Sequence, residues 1–80
     1  MDRKAEIKKN FGERLLELDA QLAKANNSNP SLRALASRSG LEYSHVQRIS
    51  KGKVDVSLTT IFALAQGLNL SPFILLDFEK

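Results

Sequence analysis

The segment 43–51 holds the side chains of this sequence that are best suited to bind a polar ligand. Arg48 can donate two hydrogen bonds to O6 and N7 of guanine, and Gln47 can form the same bidentate pair with adenine. Ser44 can bond either a base or a phosphate, while Tyr43 offers its ring to a thymine methyl group or its hydroxyl to a phosphate. Because only two aliphatic residues interrupt this polar run, we interpret the segment as a helix that is half buried and half offered to something polar.

Positive charge is concentrated around this segment. Residues 31–53 contain five cations and one anion, a local net charge of +4 in a chain whose overall formal charge is +3. A cluster of this kind indicates either a polyanion binder or a solvated basic surface, and charge alone does not decide between them. The five cations are Arg33, Arg38, Arg48, Lys51 and Lys53. For Arg33 and Arg38, a contact with a phosphate backbone and a solvated position are equally compatible with the sequence.

Other kinds of chemistry lack the residues that they need. The sequence has no glycine-rich phosphate loop, no paired carboxylates in an apolar setting and no nucleophile with a base, so we expect neither an enzyme nor a cofactor or small-molecule ligand. It contains no cysteine, which excludes a disulfide or a thiolate metal site. His45 is the only histidine and has no second ligand beside it, so we expect no metal site.

Length and composition predict one globular domain that spans residues 1–80. A second domain would have no room for a core of its own. Hydrophobic residues make up 42% of the chain and charged residues 26%, as in ordinary globular proteins. No 18-residue apolar run is present, and the first residues lack the apolar region of a secretory signal, so we expect no contact with a membrane. The lack of cysteine fits a reducing compartment.

Apolar periodicity predicts an all-α fold, a compact bundle of five helices joined by short links. The helices are expected at 4–25, 32–39, 43–51, 58–67 and 73–78. The inward stripe of the first helix comprises Ile7, Phe11, Leu15, Leu18 and Leu22. That of the fourth comprises Leu58, Ile61, Leu64, Ala65 and Leu68. Ser31, Ser57 and Ser71 stand where N-caps are needed, which explains these hydroxyls better than a role as nucleophiles.

The second and third helices together fit a helix-turn-helix unit at about 31–52. Ala36 is small where two helices must cross closely, and Gly40 stands where the turn needs a positive φ. Leu41 can fill the gap between the helices, while Val46 and Ile49 form a narrow inward seam. This seam leaves the rest of the third helix free to enter a major groove. The core of the unit is therefore predicted to be Leu35, Ala36, Gly40, Leu41, Val46 and Ile49.

Two stretches, SLRALASRSGLEYSHVQRISKGK and VSLTTIFALAQGLNLSP, resemble the phage-repressor/Cro-type (XRE) family of helix-turn-helix DNA-binding domains, which have the lambda-repressor-like fold. FGERLLEL also looks like the opening of that family, so the resemblance covers most of residues 11–73. It implies a bacterial or phage-encoded transcription regulator of the cytoplasm that binds double-stranded DNA. The small members of the family include restriction–modification controllers and phage-type repressors, and the sequence does not choose between them.

The resemblance also implies roles for individual residues. Base contacts would come from the third helix, at Tyr43, Ser44, Gln47 and Arg48. Phosphate contacts would come from Lys51, Lys53 and the first-helix Arg14, with Arg33 and Arg38 as further candidates. The chain departs from the family pattern at Leu32, where glutamine is frequent, and at Glu42, where serine or threonine usually caps the third helix.

The apolar C-terminal segment 73–78 has two interpretations. In the first, Phe73 and Leu76 close the core and the remaining residues fray. In the second, which the family resemblance favours, Phe73, Leu76 and Phe78 form the contact of a homodimer that reads a two-fold operator. A different function also stays open: the same fold could serve as a protein-interaction module, such as an antitoxin or an accessory subunit, with its third helix bound to a protein.

Overall fold

The structure, a computed structural model, describes residues 2–78. This part of the chain contains five helices. They are α1 (Arg3–Ala25), α2 (Leu32–Ser39), α3 (Tyr43–Ser50), α4 (Leu58–Gly67) and α5 (Pro72–Leu75). No strand occurs in residues 2–78, and the predicted all-α class with five helices is confirmed. The first four helices begin and end within one residue of the predicted bounds.

Local side chains set the ends of these helices. Ser31, Ser57 and Ser71 each accept a hydrogen bond from a backbone N–H of the first turn that follows, as predicted. A cap of this kind stabilises a helix by about 1 kcal/mol. Gly40 ends α2 with a φ of +70°, the left-handed conformation that glycine adopts without a Cβ clash.

One hydrophobic core receives residues from all five helices. At its centre lie Leu35 and Ala36 of α2 together with Val46 and Ile49 of α3, all of them buried. Leu41, in the turn between these helices, packs against the same core. The remaining large buried side chains are Phe11, Leu15, Leu18, Leu64, Leu68 and Leu75. Since each fully buried aliphatic side chain contributes about 1.5–3 kcal/mol, this core holds α2 and α3 in one fixed relation.

Gly12 allows α1 to cross very close to the carboxyl end of α3. A Cβ atom at this position would lie 2.6 Å from the carbonyl oxygen of Ser50 and 2.7 Å from that of Ile49, both too close for non-bonded atoms. Gly52, which follows α3 with a φ of +71°, approaches α1 in the same way, since a Cβ there would lie 2.8 Å from Cα of Lys9. The end of α3 is therefore held directly against the backbone of α1.

The inward stripes are less complete than the periodicity predicted. Leu58, expected on the inward face of α4, is 68% exposed. It is the first residue of α4 and lines a surface groove instead of the core. Ile7, near the beginning of α1, is also exposed, because the core lies further along that helix.

The C-terminal segment differs most from the prediction. Helix α5 ends at Leu75, and this residue, not Phe73 or Leu76, is fully buried. Phe78 also packs on the core, where its ring meets Phe11 edge to face with the centroids 6.0 Å apart. The expectation that Phe73 and Leu76 close the core is therefore wrong. A helix of one turn that begins at Pro72 turns Leu75 inward and leaves Phe73 85% exposed.

Candidate nucleic-acid interface

Helix α3 has one buried side and one exposed side, as its sequence predicted. Val46 and Ile49 are buried in the core, while Ser44 and Arg48 are exposed. Ser44 and Arg48 are four residues apart and therefore lie on the same face of the helix. Gln47 lies next to them and is half-buried. The polar side of α3 is thus exposed at Ser44 and Arg48 and partly exposed at Gln47.

The two ends of α3 differ in how their backbone groups are satisfied. At the beginning, Glu42 has extended backbone geometry, but its side chain makes no capping hydrogen bond. At the end, the chain turns at Gly52, and the N–H of Lys53 donates to the carbonyl oxygen of Arg48 at 3.1 Å. Lys51 and Lys53, both exposed, are therefore held on either side of a defined turn.

Tyr43 and Arg33 form a pair that links α3 to α2. The guanidinium carbon of Arg33 lies 4.2 Å from the centroid of the Tyr43 ring, within the range of a cation–π interaction. The ring is half-buried and also packs against the hydrophobic core. Tyr43 therefore covers the edge of the core and remains partly exposed at the beginning of α3.

Arg38, a candidate phosphate ligand from the sequence, is bound within the fold. Its Nε donates to the carbonyl oxygen of Gly67 at 2.8 Å, and its Nη2 lies 3.6 Å from Oδ1 of Asp19. Asp19 is only 4% exposed, and burial raises the pKa of its carboxyl group, against the opposing effects of Arg38 and a backbone hydrogen bond from Ser31. Arg38 thus joins α2 to α1 and α4, and its assignment to a phosphate contact stays a prediction.

Arg14 is likewise engaged away from the polar face of α3. Its Nε and Nη2 donate to the carbonyl oxygen of Ile74 at 3.1 and 3.0 Å, and its Nη1 forms an ion pair with Glu17 at 2.6 Å. The side chain is 19% exposed. These bonds use the guanidinium to fasten the segment around α5 to α1. The assignment of Arg14 to a phosphate contact stays a prediction, for which these intramolecular bonds leave less of the guanidinium available.

Four predicted cations remain free for a ligand. Within residues 2–78, their side chains make no hydrogen bond or ion pair. They are Arg33, Arg48, Lys51 and Lys53. We group them with the polar residues of α3 under the name basic face. It comprises Arg33, Tyr43, Ser44, Gln47, Arg48, Lys51 and Lys53.

A second surface is apolar and was not predicted in this form. Leu58 and Phe62 of α4 are 68% and 56% exposed, and they line a shallow groove that also reaches Leu70 and Pro72. Phe73, which has the most exposed large apolar side chain in residues 2–78, directly follows Pro72. The sequence offered only a weak signal for Phe62, a large apolar residue that falls just outside the inward stripe of its helix.

Asp19 is the other residue that sequence analysis missed. A carboxylate between Leu18 and Leu22, two members of the apolar stripe of α1, was the available signal. In the residues that the structure describes, no group of histidine or acidic side chains has the arrangement of a metal site. Nor is any helix among them both long and apolar enough to cross a membrane.

The chain contains a helix-turn-helix domain. This domain is defined by α2, the turn at Gly40 and the exposed polar side of α3. No model of a protein family matches the chain, and no curated protein matches it. Among solved structures, it is similar to the crystal structure of the restriction-modification controller protein C.AhdI from Aeromonas hydrophila. The two share 35% sequence identity and a TM-score of 0.68, and the match covers 85% of this chain and 94% of that one. The chain therefore belongs to the phage-repressor/Cro-type (XRE) helix-turn-helix family, as its motifs indicated.

Proposed function

We propose that this chain is a sequence-specific transcription regulator that binds double-stranded DNA, with α3 in the major groove. The observation that carries this proposal is the division of α3 into a buried seam, Val46 and Ile49, and an exposed polar side that includes Ser44 and Arg48. An α-helix fits the major groove, where each base pair presents its own pattern of donors and acceptors. The family to which the chain belongs supports the same role.

Within the basic face, we assign two kinds of contact. Arg48, Gln47, Ser44 and Tyr43 would meet base edges, because they stand on α3 itself and carry the donors and acceptors that bases require. Lys51 and Lys53 would meet phosphates, since they flank the turn at the end of α3 and make no ion pair within residues 2–78. Such phosphate contacts set the register of a protein on the duplex but carry no direct sequence information.

We further propose that the domain acts as a homodimer on a two-fold operator. Large exposed apolar groups that lie close together usually mark an interface. Leu58, Phe62 and Phe73 are the most exposed large apolar side chains of the described residues. Phe78 faces Phe11 in the same chain and is better suited to hold the C-terminal segment than to contact a partner. Leu76, which is also exposed, remains a predicted contact.

The similarity to a restriction-modification controller suggests the first biological role to test. A protein of that kind would regulate the genes of a restriction–modification system. We therefore propose control of such genes as the leading candidate among the roles known in this family.

Selection of bound duplexes from a random oligonucleotide pool tests the proposal most directly. We expect an inverted repeat whose half-site centres lie about 34 Å apart, one turn of DNA, because a two-fold dimer presents its two α3 helices with that symmetry. A mobility-shift assay with random genomic fragments at low salt provides a second measurement. A complete lack of retardation would refute the DNA-binding role and would favour the protein-interaction module instead.

A further inference from the structure

Arg33 occupies a position that the stability of the fold does not explain. It lies in the first turn of α2, where the helix dipole favours acidic side chains, and that turn contains no acidic residue. Its side chain is exposed and makes no hydrogen bond or ion pair within residues 2–78. In this part of the chain, its guanidinium instead makes a cation–π contact with Tyr43, with its carbon 4.2 Å from the ring centroid.

This contact leaves the guanidinium able to bind a second group. A cation–π interaction uses the face of the guanidinium or its charge, whereas the five N–H donors lie around the edge of the group. An arginine stacked on an aromatic ring can therefore still form a bidentate pair with a phosphate. Lysine could supply the charge for the phosphate, but it could not reproduce the flat stacked geometry.

The contact also restrains Tyr43. One face of its ring carries the Arg33 guanidinium, and the ring packs against the hydrophobic core as well. What remains for DNA is the ring edge and the hydroxyl group. Because the same guanidinium touches the ring and is free to bind a phosphate, the place of that phosphate and the orientation of Tyr43 are coupled.

We propose that Arg33 is a positioning residue for sequence recognition: it binds a backbone phosphate and, through its stack on the ring, holds Tyr43 in the orientation that selects one base pair. This inference rests on the proposed DNA-binding function and deepens it. It assigns to α2 a share in specificity that would otherwise belong to α3 alone.

Arg33→Lys keeps the positive charge but removes the planar guanidinium with its fixed set of donors, and it is the central variant. Binding is measured by fluorescence anisotropy on the selected operator, on its single-base-pair variants and on random duplex. We expect Arg33→Lys to keep its affinity for random duplex and its salt dependence, because the charge is retained. Discrimination at the one base pair that Tyr43 contacts should fall about two- to fivefold, which is the range of an exposed cation–π contact. Arg33→Ala should in addition weaken binding to every duplex and lower the salt slope by about 0.9.

Two controls distinguish positioning from a structural role. The thermal midpoint of Arg33→Lys should fall by no more than about 2–8 °C, the shift that loss of an exposed cation–π contact of about 0.5–1 kcal/mol gives in a domain of this size, so the variant should remain folded in the binding assay. In a Tyr43→Leu background, Arg33→Lys should have no further effect on discrimination, because there is no ring left to orient.

Unchanged discrimination in Arg33→Lys, or an equal loss on operator and random duplex, would overturn the inference while leaving the DNA-binding function intact. Failure of the unaltered protein to bind any duplex would overturn both.

Discussion

Replacing Gly12 with alanine should destabilise the domain, although alanine is the better helix former. The added Cβ would lie 2.6 Å from the carbonyl oxygen of Ser50, whereas ordinary contacts begin at 3.4 Å. Helix α1 would therefore have to move away from the end of α3 by about 0.8 Å. The obstructing atoms belong to the backbone of α3, so no change of side-chain rotamer can relieve the clash.

Two opposing terms decide the size of this effect. Overpacking in a close-packed interior costs about 1–3 kcal/mol, and the upper end applies here because the clash is with backbone. The gain in helix propensity from glycine to alanine is about 1 kcal/mol. The net loss of unfolding free energy should be about 2 kcal/mol. In a domain of this size, such a loss lowers the thermal midpoint by about 8–16 °C.

Urea and thermal unfolding, followed by circular dichroism at one protein concentration, measure this loss. Ala20→Gly provides a matched control in the same helix, because Ala20 is exposed and its replacement reports the propensity term alone. We expect Ala20→Gly to cost about 1 kcal/mol. A Gly12→Ala variant as stable as the unaltered protein, or more stable, would refute the close approach of α1 and α3.

Four further substitutions test the surfaces and the buried charge. Arg48→Ala should lower the binding free energy on the operator by about 1–3 kcal/mol and relax the preference at one base pair. Lys53→Ala should weaken binding to all duplexes and lower the salt slope by about 0.9. Anisotropy titrations measure both effects, and equal losses on operator and random duplex for Arg48→Ala would exclude its role in base reading. Phe62→Glu should give a monomer in sedimentation equilibrium with an unchanged circular dichroism spectrum, and a dimer that survives this change would place the interface elsewhere. Burial raises the pKa of Asp19, so its carboxyl group binds a proton more tightly in the folded state than in the unfolded state. The contribution of this carboxyl group to stability should therefore decline as the pH rises through the raised pKa. The urea midpoint of the unaltered protein minus that of Asp19→Asn should therefore fall from acidic to neutral pH. A rise of this value with pH would contradict the prediction.

The sequence predicted the helix-turn-helix unit well because its determinants are local. A serine such as Ser31 caps the helix that begins immediately after it, and Gly40 supplies a positive φ wherever its neighbours lie. Val46 and Ile49 stand three apart on a helix with only two aliphatic residues, so no other face of α3 could be buried. Because α3 has so few aliphatic residues, the sequence also predicted that its opposite side is polar.

The prediction failed for residues whose surroundings come from distant parts of the chain. Periodicity placed Leu58 on an inward face, but it does not reveal where along a helix the core ends. Phe73 and Leu75 are equally apolar, and only the direction in which Pro72 begins α5 determines that Leu75 is buried. The close approach at Gly12 could not be predicted either, since a single sequence does not show which backbone will approach a glycine.

By itself, the sequence determined where the first four helices begin and end, which residues form the seam between α2 and α3, and that positive charge gathers around α3. Only the tertiary structure decided which of those charges stay free for a ligand. Arg14 bonds a carbonyl group 60 residues away in the chain, and Arg38 bonds one 29 residues away. A guanidinium group carries the same charge whether it meets a distant carbonyl or water. Its availability is therefore a property of the packed chain and not of its composition.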